Sequence, residues 1–311
     1  MELAYGSTFR TMRQSKMITL KEIEAQTGLT SSFISRFERG KSDVSSTNLR
    51  TLLTAINVSL QEFTQVQIDT VAEQEHIPHD SGYASLMRPY LLPFAKFHVI
   101  KTSDRPAVIA ERDRTRAIYR TTPTRNNHFV YLYYELTATL AQADSTKIDE
   151  AELFIIGRPV VQYLYQVDTW GQYELSLFQF FSAAIPSADN LPLLRIGVKR
   201  SHNSPEQRPA FNLLTADFTS QLAMQKYDLA AAILSEIDHF AAINAEEAIT
   251  RIFFHGWFKI ATNDRTAGQH ECEHALAIFD ELGLRKATSR LRYILSHILQ
   301  DPTFGIILTS L

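Results

Sequence analysis

The stretch TLKEIEAQTGLTSSFISRFERGKSDVS, residues 19–45, holds two helix starts and one sharp turn within a few dozen positions. Thr19-Leu20-Lys21-Glu22 is a capping box, in which the Thr hydroxyl and the Glu carboxylate satisfy exposed amides reciprocally. The helix it opens runs to Gln26, and Gly28 supplies the left-handed residue that a tight exit needs. Thr30 or Ser31 then caps a second short helix that ends at Gly40. Its apolar residues, Phe33, Ile34 and Phe37, fall on one side at helical spacing, leaving Ser31, Ser32, Ser35 and Arg36 on the other.

The flanks repeat the pattern. Residues 7–16 form an earlier helix with Phe9 and Met12 inward and Arg10, Arg13 and Lys16 outward. A fourth helix starts near Ser46 and a fifth follows Ser59. Two short helices joined by a Gly-containing turn, among three others, describe a helix-turn-helix domain. In such a domain the second helix of the pair enters the major groove N-terminus first. Small serines permit close approach, and only Arg36 on that face has the fork that matches guanine. The plainer alternative is an amphipathic helix with a polar solvent face.

At 311 residues, 45% hydrophobic and 21% charged, the chain is long enough for two domains with sizeable cores. A net charge of −3 argues against a nucleic-acid surface spread over the whole chain. Residues 1–65 nevertheless carry eight Lys/Arg against six Asp/Glu, while the remainder carries 23 against 28. A local positive excess suits phosphate. One cysteine, Cys272, excludes an intrachain disulfide and fits a reducing compartment. No stretch approaches the roughly 20 apolar residues of a membrane span. The N-terminal MELAYGSTFRTMRQ lacks the apolar region of a signal peptide. A cytoplasmic protein without membrane association is the expectation.

Residues 19–45 resemble the lambda-repressor-type (XRE) helix-turn-helix, including the Phe-Glu-Arg-Gly-Lys at 37–41. Within that group the chain is similar to the Rgg/GadR/MutR transcriptional regulators of Gram-positive bacteria. GSTFRTMRQSK (6–16), NVSLQEF (57–63) and VVQYLYQVDTWGQYELSLF (160–178) carry the likeness over nearly the full length. The resemblance implies an all-α protein: a five-helix domain over 1–66, then a TPR-like helical repeat array over 67–311 that binds a short signalling peptide and dimerises. It also implies an ion pair between Arg13 and Glu38. Many relatives place Gln at the start of the second helix for phosphate contact, where this chain has Leu20. That leaves Lys21 and the amides there for phosphate. Arg10, Arg39 and Lys41 complete the expected DNA contacts. A single helix-turn-helix reads few bases, so a homodimer on palindromic double-stranded DNA is the expected partner arrangement.

Beyond residue 125 the sequence predicts helices over 126–141, 149–167, 171–184, 189–202, 206–223, 226–240, 244–263, 266–282 and 286–299. LAAAIL (229–234) and HALAIF (274–279) look related at an offset of 45 residues, longer than a TPR but within the range of helical repeats. Alternate helices of such an array line a concave face. Gln179, Asn212 and Arg251 recur about one repeat apart beside Phe178, Phe211, Phe253 and Phe254. Amide and guanidinium groups among aromatics suit an extended peptide, with Phe178 and Phe254 supplying apolar pockets. Each polar residue could equally face solvent or cap a helix. Residues 66–125 read as a linker helix near 60–75 followed by two irregular helices. Their basic run, ERDRTRAIYRTTPTR (111–125), reads as a solvated face or an aid to DNA binding.

One motif competes. His270-Glu271-Cys272-Glu273-His274 matches H-E-x-x-H, the zinc and general-base pattern of metallopeptidases. The apolar positions Cys272, Ala275, Leu276, Phe279 and Leu282 put His270 and His274 on the solvent side, away from the sheltered cleft that catalytic zinc requires. No phosphate-binding loop, dinucleotide fingerprint or nucleophile elbow is present. A regulator that is not an enzyme, with no cofactor and no metal, is therefore the leading expectation. A zinc metallopeptidase and a TPR adaptor with an inert helix-turn-helix are the alternatives.

Overall fold

The computed structural model describes residues 5–74, 90–94, 105–142, 149–201 and 209–301. Among these residues there are helices and turns but no strand; the single β-bridge, Trp170 to Ser201, is isolated. The chain divides into two compact units, Met1–Ala84 and Ser85–Leu311.

The first unit contains α1 (Tyr5–Ser15), α2 (Leu20–Thr27), α3 (Ser31–Glu38), α4 (Ser46–Ala55) and α5 (Leu60–Gln74). Local chemistry sets these bounds. The Thr19 side chain accepts the Glu22 amide, and the Glu22 carboxylate takes the Thr19 amide at 2.6 Å. Gly28 sits at φ +73° and its amide closes on the Glu24 carbonyl. Thr30 caps α3 and Ser45 caps α4. Phe9, Ile23, Ile34, Phe37, Leu52, Ile56 and Phe63 fill the core, with Met12 and Phe33 packed at its margin.

The second unit contains α6 (Arg105–Thr121), α7 (Arg125–Gln142), α8 (Glu150–Gln166), α9 (Gln172–Phe180), α10 (Ser187–Arg200), α11 (Pro209–Ala223), α12 (Tyr227–His239), α13 (Ala245–Ala261), α14 (Arg265–Glu281) and α15 (Arg285–Ile298). Short 3-10 turns lie at Leu92–Phe94 and Ser182–Ala184. All nine predicted segments beyond residue 125 correspond to a helix, displaced by a few residues at their ends. Before them, among the described residues, the structure places the regular helix α6; the expectation of two irregular helices falls largely on 75–89 and 95–104, which lie outside the described residues. Part of the basic run on α6 is turned inward or neutralised. Glu111 is buried and paired with Arg114, while Arg112 meets Asp113 and Glu135.

Three of the connections in the array are alike. Gln225, Asn263 and Gly283 each take a left-handed backbone (φ 58°, 73° and 71°) in the middle of a three-residue turn. In each turn the next residue's amide reaches back five residues: Lys226 to Gln221, Asp264 to Lys259, Leu284 to Phe279. This is the Schellman closure of a helix end, which folds the following helix back. α12 and α14 begin at 227 and 265, so the 45-residue offset read from LAAAIL and HALAIF overshoots the repeat by about two helical turns, which preserves the buried face.

The 160–178 signature is a corner that locks α8, α9 and α10. Trp170 is buried, its indole N–H donates to the Leu164 carbonyl at 3.2 Å, and its amide bonds the Arg200 carbonyl at 3.1 Å. Arg200 returns three bonds, to the carbonyls of Leu164, Tyr165 and Val167. Glu174 caps α9 by accepting the Gly171 amide and also accepts the Tyr163 hydroxyl.

Candidate nucleic-acid interface and effector surface

The outer face of α3 is assembled by the caps at either end of the helix. Ser32 and Arg36 are exposed, and Ser31 and Ser35 are half-buried. Ser31 is turned back: its hydroxyl donates to Glu24 on α2 at 2.5 Å, which lowers the pKa of that carboxyl. Arg39 is folded onto its own helix, donating Nε–H to the Ser35 carbonyl at 3.0 Å. Arg10, Lys21 and Lys41 are exposed around this face. Behind it, Arg13 on α1 grips Glu38 with Nε at 2.6 Å and uses Nη1 on the Ile18 carbonyl at 2.7 Å. The sequence reading passed over Arg50. It is exposed on α4 beside a groove of about 500 Å³ that also involves Gln26, Thr27, Thr47 and Thr51. A cation among threonines carries little pattern of its own, so periodicity alone does not single it out.

The expected peptide-binding set is scattered by burial. Gln179 and Asn212 are half-buried. Phe178 and Phe254 are 0% exposed, so the expectation that they supply surface pockets is corrected. Phe178 packs toward Trp170 at 6.0 Å, and Phe254 lies 5.3 Å from Phe218. Both side chains are fixed in the core by aromatic packing. Arg251 is committed internally as well. Its guanidinium donates to the carbonyls of Asp238 (3.3 Å) and Phe240 at the end of α12, and lies 6.0 Å from the Phe211 ring. Those bonds satisfy helix-end carbonyls that would otherwise lack partners. Arg125 was missed. Its guanidinium lies 5.0 Å from the centroid of the Tyr163 ring, in a cleft between the α6–α7 turn and α8.

The His-Glu-Cys-Glu-His segment lies on α14. His270 and His274 are exposed, and Glu271 is paired with Lys259. Cys272 is buried against the Phe253 carbonyl, and burial pushes its thiol up to about 12. Among the described residues no three His, Cys, Asp or Glu side chains are grouped to hold a metal, and no helix is long and apolar enough to cross a membrane.

Comparison with known proteins follows the same division. Residues 9–63 match the helix-turn-helix family model. Residues 114–292 match the model of the C-terminal domain of the HTH-type transcriptional regulator Rgg. No curated protein sequence matches significantly. Among solved structures, the SHP pheromone receptor Rgg2 of Streptococcus dysgalactiae is 19% identical with a TM-score of 0.56, over 94% of this chain and 99% of that one. PrgX in its complex with cCF10 is 11% identical with a TM-score of 0.57, over 95% and 99% of the two chains. At such identities the likeness is one of fold. The family match spans more than half of the sequence, and the chain belongs to the Rgg family of helix-turn-helix transcriptional regulators.

Proposed function

We propose that this regulator works in the cytoplasm as a homodimer on a palindromic operator, and that a short peptide bound to its C-terminal unit sets its operator affinity. The observation that carries the reading is a capped recognition helix with Ser32 and Arg36 exposed on its front and Ser35 half-buried between them, joined to an Rgg-type C-terminal domain. Arg36 is assigned to a base edge, and Arg10, Lys21, Lys41 and Arg39 to backbone phosphate. Ser31, which is tied to Glu24, contributes by shaping the helix start. The peptide half draws support from the Rgg2 pheromone receptor and the PrgX complex, which share this fold. Within the C-terminal unit, Gln179 and Asn212 remain partly accessible for peptide amides and carbonyls.

Genome-wide mapping of operator occupancy, with and without conditioned medium from the producing culture, tests both halves. A discrete palindromic footprint whose occupancy responds to the medium is expected. A chain with no sequence-specific footprint is the inert adaptor, and a footprint indifferent to every peptide fraction removes the effector.

A further inference from the structure

The cleft beside the α6–α7 turn measures about 340 Å³ and is closed on its far side by the C-terminal half of α8. Its walls are aromatic and proline-rich. Tyr119 stacks on His128, with centroids 4.5 Å apart and planes within 12° of parallel. Across the cleft, Tyr163 packs on Phe129 at 5.4 Å and donates its hydroxyl to Glu174 at 2.6 Å, which fixes the ring. Pro123 and Pro159 also line it.

The one cation among the lining residues is Arg125, and the Glu174 carboxylate is held on the Tyr163 hydroxyl beside it. Arg125 reaches over the fixed Tyr163 ring, and no Asp or Glu is among the lining residues. Burial lowers the pKa of His128, which favours its neutral ring. A guanidinium has five donors in a planar fork, and stacking on an aromatic face holds that plane in place for a bidentate carboxylate. Arg125 is also the first residue of the 18-residue helix α7, whose N-terminus adds partial positive charge. Gln162 and Gln166 on α8, with Thr124 opposite, supply neutral donors and acceptors of the kind a peptide bond needs. The volume is at the low end of ligand cavities, roughly 300–1,000 Å³. It suits the end of a chain and not its length.

We infer that Arg125 and this cleft bind the C-terminal carboxylate of an extended peptide. The inference rests on the peptide reading above and gives the free end of the effector a place. Arg251 is not placed for this role, because its two terminal nitrogens donate to the carbonyls of Asp238 and Phe240. A single guanidinium flanked by side-chain amides matches one carboxylate at the end of a peptide chain. A nucleic-acid backbone would call for a row of cations.

The test is calorimetry on the full-length protein with N-acetyl-Leu-Leu-Phe as the free acid and as the carboxamide. The acid is expected to bind about tenfold or more tightly than the amide, the range of a charge-assisted hydrogen bond. Arg125→Gln should erase that preference, Arg125→Lys should keep part of it, and Arg251→Gln should keep all of it. Equal binding of acid and amide, no binding of either at millimolar probe, or a preference that survives Arg125→Gln overturns the assignment. So does displacement of the acid by oligo(dT) at equal concentration. Operator footprints of wild type and Arg125→Gln separate this from the wider reading. Occupancy that responds to conditioned medium equally in both keeps the peptide effector and removes the Arg125 site. An acid preference without any effect on occupancy keeps the site and removes the regulation.

Discussion

Arg13 and Glu38 join α1 to the end of α3 through two parallel bonds, Nε to Oε1 at 2.6 Å and Nη2 to Oε2 at 3.0 Å, with side chains 11% and 5% exposed. The pair is buried between the two helices and ties the end of α3 to α1. Removing one partner of a buried pair strands the other and costs about 3–5 kcal/mol, whereas replacing both with apolar residues is often neutral. Glu38→Ala should therefore speed amide exchange across α1 and α3, and Arg13→Met with Glu38→Leu should restore most of the protection. Hydrogen-exchange mass spectrometry of the full chain reads both. If Glu38→Ala leaves exchange untouched but weakens DNA binding, Glu38 acts at the interface.

Arg36 is the one cation on the exposed front of α3. Arg36→Ala should weaken operator binding by about 1–3 kcal/mol and relax selectivity at one base position. Lys41→Ala, on phosphate, should weaken all sequences alike and flatten the salt dependence by about one unit of slope. Binding selection from a randomised operator distinguishes the two. Unchanged selectivity in Arg36→Ala removes the base contact.

How far these positions were legible depended on whether a residue's role is local. Caps are local: Thr19 with Glu22, Gly28 and Thr30 could be placed from neighbours a few positions away, and the first unit follows from them. The roles of Phe178, Phe254 and Arg251 are set by long-range packing. α11 is buried from Phe211 to Leu222 on nearly every side, so its polar and apolar residues no longer alternate with a solvent face. An arginine beside phenylalanines then reads alike whether it waits for a ligand or caps the previous helix. Arg251 does the latter. The repeat was equally obscure, because its marker is a left-handed turn residue that is Gln once, Asn once and Gly once.

Asp217 on that buried helix gives a pH prediction. Asn190 and Gln221 both donate to its Oδ1, at 3.3 and 2.8 Å, leaving Asp217 Oδ2, Asn190 Oδ1 and Gln221 Oε1 buried without partners. Burial, only partly offset by those two bonds and by Lys226, pushes the carboxyl up to about 6. The unfolded value is near 3.9, so the folded state holds the proton more tightly. Asp217 thus costs nothing below about pH 4, and its destabilisation grows through about pH 6 to on the order of 2–3 kcal/mol. Asp217→Asn, neutral and of the same shape, should raise stability at pH 7.5 and leave it nearly unchanged at pH 4. Urea unfolding of both proteins at the two pH values measures the difference. An equal gain at both pH values would mean that packing, not ionisation, is responsible.

Two glycines of the array should fail for opposite reasons. Gly283 holds φ +71° in the α14–α15 turn, and a Cβ there would have nothing within 4 Å. Gly283→Ala should cost about 1–2 kcal/mol through backbone strain alone, and Gly283→Asn should cost less, because Asn tolerates the left-handed region. Gly256 lies in the middle of α13, where alanine would favour the helix by about 0.8–1.0 kcal/mol. A Cβ at Gly256, however, would stand 2.6 Å from both the Gly268 carbonyl oxygen and the Cys272 sulfur. Backbone of α14 cannot withdraw without separating the two helices, and overpacking of this kind costs about 1–3 kcal/mol. Gly256→Ala should therefore be destabilising despite its better propensity, and Gly256→Ser should be worse. Urea midpoints of the four variants decide the matter. A Gly256→Ala protein as stable as wild type would show that α13 and α14 have room to part, and that their crossing is looser than the glycine pair implies.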